Sequence, residues 1–146
     1  MSTPTRDLHD NLSTATLIVP VVAAADTTPI SVDLLGFRAA MIMINIGVGG
    51  ITFSGTNKVD FLLEHSLDNS AWAAVAQGDV LGATVAAGGI VRSLIAAKAA
   101  ADVQEMSYIG GRRYIRLTAD FSGTHGTGTA MAAYAVRGLP EALPSV

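Results

Sequence analysis

Every apolar run in this chain is short, and each one ends on glycine, proline or a cluster of Asp, Asn, Ser and Thr. That punctuation constrains the fold more than any motif does. Helices need ten or more residues of 3.6-residue periodicity, whereas runs of five to ten β-branched and apolar residues between turn formers are strands. The longest apolar stretch, Ala39 to Phe53, contains Asn45, Gly47, Gly49 and Gly50 and is bracketed by Arg38 and the polar Ser54 to Asp60 segment. It falls short of the ~20 uninterrupted apolar residues of a spanning helix. No membrane association is therefore expected. Leu17 to Val22 followed by Ala23, Ala24 and Ala25 imitates a secretory signal, but Asp7 and Asp10 outweigh Arg6, and Pro20 interrupts the apolar core. A cleaved leader is not expected.

The strands read as follows. Thr16 to Ala25 is a β-branched run, and Ser31 to Leu35 is a short extended piece before Gly36. Phe37 to Ile46 is apolar on both faces, and Gly47-Val48-Gly49-Gly50 ends it. In Lys58 to Ser66, Val59, Phe61 and Leu63 alternate with Asp60, Leu62 and Glu64. The turn residues Leu67-Asp68-Asn69-Ser70 follow, and Trp72 to Val75 completes a hairpin in which Trp72 is expected to anchor the core beside Phe61. Ile90 to Ala96 alternates as a strand, while the alanine-rich Ser93 to Ala101 segment equally suits a short helix capped by Ser93; strand followed by a helical turn is the assignment. Val103 to Ile109, the Gly110-Gly111 turn, Arg112 to Phe121, the loop Ser122 to Thr129 and Ala130 to Arg137 complete the series.

Seven to nine short strands at this spacing predict an all-β fold, an antiparallel β-sandwich or barrel with at most a short helical turn. A chain of 146 residues hides about two-thirds of its extended surface on folding, enough for one core. The expected organisation is an N-terminal arm over residues 1–12, a single domain over residues 13–138, and a tail over residues 139–146 held unpaired by Pro140 and Pro144.

Half of the residues are hydrophobic and 14% are charged, which excludes a disordered chain. There is no cysteine, so disulfides, thiolate metal sites and a cysteine nucleophile are absent. Nine basic and twelve acidic residues give a net charge of −3, and no nucleic-acid footprint is expected. Only Arg112, Arg113 and Arg116 cluster, and strand alternation splits them between two faces, as a salt-bridged edge would have them.

The residues offer no catalytic, cofactor-binding or metal site. Gly47 to Gly50 lacks the third glycine and the helix of a dinucleotide loop, and Gly123-Thr124-His125-Gly126-Thr127-Gly128 lacks the lysine and hydroxyl of a phosphate loop, so it reads as a mobile hairpin tip. His9, His65 and His125 lack the short paired spacings of a zinc site; His65 reads as a partly buried strand histidine. Asp60 and Glu64 do not make a glycosidase pair by spacing alone. Trp72, Tyr108, Tyr114 and Tyr134 suit either packing or a sugar platform.

One resemblance covers nearly the whole chain. Gly36-Phe37-Arg38, Phe61 to Trp72, Asp79-Val80-Leu81-Gly82, Tyr108 to Arg116, Asp120 to Thr129 and Ala135 to Pro140 resemble, in order and spacing over Asp7 to Pro140, a family of capsid decoration (cement, or head-stabilising) proteins encoded in the head modules of tailed bacteriophages. The chain departs from that family at Leu67-Asp68-Asn69, where relatives prefer an acidic-acidic-glycine turn. The resemblance implies a jelly-roll-like β-sandwich made in the host cytoplasm and carried on the outer surface of the virion's capsid. Its implied partners are the major capsid protein and itself, as a dimer or trimer on a symmetry axis, with no cofactor and no catalysis. It makes the 1–12 arm and the 139–146 tail candidates for reaching onto neighbouring subunits. A virion-surface carbohydrate-binding module and a head-completion or tail component are the alternatives.

Overall fold

The computed structural model describes residues 7–141. The arm and the tail expected at the two ends therefore lie partly outside the described residues. Ten strands are present: β1 (Ser13–Ala23), β2 (Val32–Asp33), β3 (Phe37–Ile46), β4 (Lys58–Ser66), β5 (Ala73–Ala74), β6 (Val80–Leu81), β7 (Ile90–Leu94), β8 (Asp102–Tyr108), β9 (Tyr114–Ser122) and β10 (Thr129–Pro140). They pair antiparallel into two sheets, ordered β1-β10-β3-β8-β6 and β2-β9-β4-β5, with β7 also on β4. Setting aside β5 and β6, short strands at the sheet edges, leaves eight, ordered first, eighth, third, sixth in one sheet and second, seventh, fourth, fifth in the other. That alternation of sheets is the jelly roll, and it puts the chain's first and last long strands side by side.

Alternation builds the core. On the first sheet Leu17, Ile42, Ile44, Ile46, Met106, Met131, Ala133 and Ala135 point inward, and on the second Val59, Phe61, Leu63, Ile115, Leu117 and Ala119 meet them, all buried. Phe61 and its neighbours Val59 and Leu63 are fully buried on β4, the strand in the middle of its sheet. The segment between β1 and β2 passes from the first sheet to the second and is tied to β9: Thr27 Oγ1 accepts from the Ala119 amide and Asp26 Oδ1 from the Phe121 amide.

Two expectations about the elements need correction. No helix forms over Ser93 to Ala101. β7 ends at Leu94, the Lys98 carbonyl accepts from the Gly49 amide, and Lys98 Nζ pairs with Asp102. Alanine propensity alone does not stabilise one helical turn without an apolar face to bury, and Ile95, Ala96 and Ala97 are exposed. The one helical element among the described residues is a 3-10 turn at Gln77–Asp79. The last strand runs past Arg137 to Pro140, which pairs with Phe37, and the Glu141 amide then reaches the Gly36 carbonyl. Pro140 costs the edge nothing because it needs no amide there. Among the described residues no helix is long and apolar enough to cross a membrane.

Candidate functional site

The two sheets turn very different faces outward. On the second, Lys58, Asp60, Leu62, Glu64 and Ser66 of β4 stand opposite Ser122, Asp120, Thr118, Arg116 and Tyr114 of β9. Almost every row there carries a charge or a hydroxyl. Arg116 meets the Glu64 carboxylate at 3.1 Å and lies over the Trp72 ring at 4.3 Å. Asp60, buried although charged, is paired with Lys58 Nζ at 3.0 Å and accepts from Ser93 Oγ. Most charges on this face are paired within it, Asp120 opposite Asp60 being the exception, and it is suited to water.

The outward face of the first sheet carries little charge and is mostly apolar on β10 and β3. Its register places Thr14, Val136, Met41, Ser107 and Leu81 in one row across five strands. The next row is Thr16, Tyr134, Met43 and Glu105, and the third is Ala132, Asn45 and Val103. Glu105 is the one ionisable carboxylate among these three rows. Met41, Met43, Tyr134 and Val136 are only half-buried, and among the described residues no third layer lies over them. With strands ~4.8 Å apart and same-face rows ~7 Å apart, the face covers roughly 400 Å². A patch of about that size is the largest a monomer ordinarily exposes, and such patches are often functional.

The edge of that face continues the pattern. β1 slips register twice against β10, between Thr16 and Ile18 and between Ile18 and Val21. The slips turn Val19, Val21 and Val22 outward, at 53%, 39% and 64% exposure, with Pro20 among them. A concavity of about 510 Å³ results, bounded by Thr16, Ile18, Pro20, Asn45, Ala132 and Tyr134. Bulges and a proline also blunt the edge against strand addition, so what β1 offers a partner is side chains rather than backbone.

The three histidines singled out from the sequence are not brought together. His9 is exposed beside Asp10. His65 faces inward, as expected of a strand histidine, and its Nδ1 lies 2.8 Å from the Tyr108 hydroxyl. That hydroxyl also accepts from the Arg112 amide at 3.1 Å. Burial and the nearby Arg112 charge push the His65 pKa down, with Asp79 opposing them. His125 corrects the reading of its loop as a free tip. It is 3% exposed, its Nε2 lies 2.7 Å from the Ser122 carbonyl oxygen, and it packs edge-on against Phe121 and Phe53. Asn57 Oδ1 accepts from the Thr124 amide and holds the same loop down.

Trp72 also departs from expectation: it is half-buried on the outside of the second sheet under Arg116, and not in the core. Tyr108 is buried, Tyr114 lies under Arg113, and Tyr134 is on the apolar face, so the four aromatics form no common platform. Arg113 and Arg116 are salt-bridged, to Asp33 and Glu64, as the edge reading anticipates; the Arg113 fork holds the Asp33 pKa down at about 2. Arg112 has no such partner among the described residues. No group of three or more potential metal ligands occurs among them either. The apolar face had one sequence signal, the two-sided apolar strand Phe37 to Ile46.

No protein-family model and no curated protein sequence matches this chain.

Proposed function

We propose that the chain is a structural protein of the tailed-phage head, decorating the outer surface of the capsid and bridging neighbouring major capsid protein subunits, with itself as a homo-oligomeric partner. The observation that carries this reading is the apolar outer face of the first sheet together with its bulged, valine-rich edge. A face of roughly 400 Å² is about half of what one partner contributes to a standard interface, ~800 Å². Face and edge together approach that figure. On a symmetric shell each contact repeats, so a modest single affinity yields a stable lattice. The resemblance in residue order over Asp7 to Pro140 supports the same reading, and the salt-bridged second face suits the side left to solvent.

A cryo-microscopy map of the parent particle tests it. Hundreds of copies on the outside of the shell, seated with Met43 and Tyr134 covered, are expected. A ring's worth of copies at one vertex would identify a head-completion component instead, and a seat that leaves Met43 in solvent would overturn the assignment of the face.

A further inference from the structure

A second concave surface lies away from the apolar face, at the end of the sandwich where β3 begins and β8 passes into β9. It is a cleft of about 340 Å³ with Ala40 and Tyr108 in its lining. Its walls are aliphatic, with Leu35 at 63% and Ile109 at 51% exposure. Arg38, Arg112 and Arg113 line it as well, with Glu141.

The arginines differ in what they have left to offer. Arg113 is engaged on both edges of its fork, Nε to Asp33 Oδ1 at 2.9 Å and Nη2 to Asp33 Oδ2 at 2.8 Å. Arg38 and Arg112 form no side-chain hydrogen bond and no ion pair with any described residue, in a chain whose net charge is −3. Glu141, also exposed, sets one carboxylate against these two guanidinium groups, so the cleft stays net positive. The loop that carries Arg112 is fixed in advance: its amide donates to the buried Tyr108 hydroxyl, and a Cβ at Gly110 would stand 2.6 Å from the Tyr108 ring. Gly111, at φ +74°, completes a turn that a side chain would strain.

We infer that this cleft docks an acidic, aliphatic segment of a partner protein, whose carboxylates meet Arg38 and Arg112 while a neighbouring side chain lies between Leu35 and Ile109. Charge complementarity selects the acid, since guanidinium and carboxylate match in geometry as well as sign. The aliphatic walls select a peptide over a nucleic-acid strand. Single strands bind by stacking bases on free aromatic faces, and here Tyr108 is buried and the Phe37 ring carries the Arg137 guanidinium at 5.1 Å. The inference goes beyond the head-decoration reading and stands or falls separately from it, because it concerns a different surface and needs no particle to test.

The test is a titration of the ¹⁵N-labelled full chain, followed by amide shifts, with a capped pentapeptide of alternating leucine and aspartate. The same peptide with lysine for aspartate, inorganic phosphate and a short oligothymidine are titrated in parallel. Saturable shifts at Leu35, Ile109, Gly111 and Arg112 with the acidic peptide alone are expected, weakening as salt is added. Arg38→Ala with Arg112→Ala should weaken binding roughly tenfold, given the strength of charge-assisted hydrogen bonds. Leu35→Asp, at an exposed wall position, should abolish binding even if the arginine double variant fails to fold. The inference is overturned if the acidic peptide causes no saturable shift, if the lysine peptide binds as well, if shifts fall on the first sheet's outer face instead, or if phosphate or oligothymidine moves the same amides equally.

Discussion

The two outer faces of this sandwich share a core and differ in almost everything else. On the second sheet a buried Asp60 has Lys58 and Ser93 for partners, Glu64 has Arg116, and even the one tryptophan is capped by a guanidinium. On the first, Met41, Met43, Ala132, Tyr134 and Val136 face outward with a single carboxylate, Glu105, among their rows. A surface that must live in water neutralises its charges internally and keeps them. A surface destined for another protein sheds them, because an unpaired charge buried at an interface costs several kcal/mol. The contrast teaches where the surplus of apolar residues went: into one face and its edge, rather than into a larger core.

The comparison can be broken at several depths. The largest effect belongs to the shared core. Phe61→Ala should cost about 3 to 5 kcal/mol in chemical denaturation, as for a fully buried aromatic, and should disable both faces together. Trp72→Ala sharpens the contrast from the polar side. With the ring half-buried outside the second sheet, the loss is its partial burial and its contact with Arg116, about 1 to 2 kcal/mol. A cost above 3 kcal/mol would put Trp72 in the core after all.

Acid offers a probe of the joint between the sheets, where His65 of β4 meets Tyr108 of β8. The folded pKa of His65 is held below its ordinary 6.5, chiefly by burial, so the unfolded chain binds a proton that the folded one refuses. Stability is therefore full above pH 6.5 and falls as the pH drops below it toward the depressed folded pKa. Urea midpoints should decline from pH 7.5 to pH 5, and His65→Gln should flatten that decline; an unchanged slope would remove His65 from the account. The smallest effect expected is at Asp120, directly opposite Asp60. Asp120→Asn relieves a like-charge pair and should stabilise by about 0.5 kcal/mol or less, read as a slightly raised thermal midpoint.

Much of this architecture was legible from strand periodicity. The runs Phe37 to Ile46 and Lys58 to Ser66 coincide with β3 and β4, since both are bounded by glycines or Ser-Asp-Asn turns, and in the second Val59, Phe61 and Leu63 also mark the inward face. What was not legible depended on distant partners. Trp72 reads as core by size, but Ala73 pairs with His65 and Ala74 with Glu64, which brings Trp72 up against Arg116, a residue local sequence cannot place beside it. The alanine-rich stretch after Leu94 reads as helix by propensity, yet Lys98 within it is bridged to Gly49, a third of the chain away. Arg113 looked like its neighbours Arg112 and Arg116 until the fold delivered Asp33, 80 residues distant, to it alone. The apolar face was visible only as an excess, in a strand greasy on both sides. Which side was surplus required the second sheet to cover the other.

The central claim is that the first sheet's outer face is the one buried in the assembly. The most direct measurement is the occupancy on phage heads of two matched variants, Met43→Lys on that face and Thr118→Lys on the other, each at a half-buried outward position near the middle of its sheet. Met43→Lys should fold with an unfolding midpoint close to that of the unaltered chain yet lose roughly tenfold or more in head binding, as a charge set into an interface centre does. Thr118→Lys should bind as before. Equal occupancy of the two variants, or loss confined to Thr118→Lys, would contradict the account.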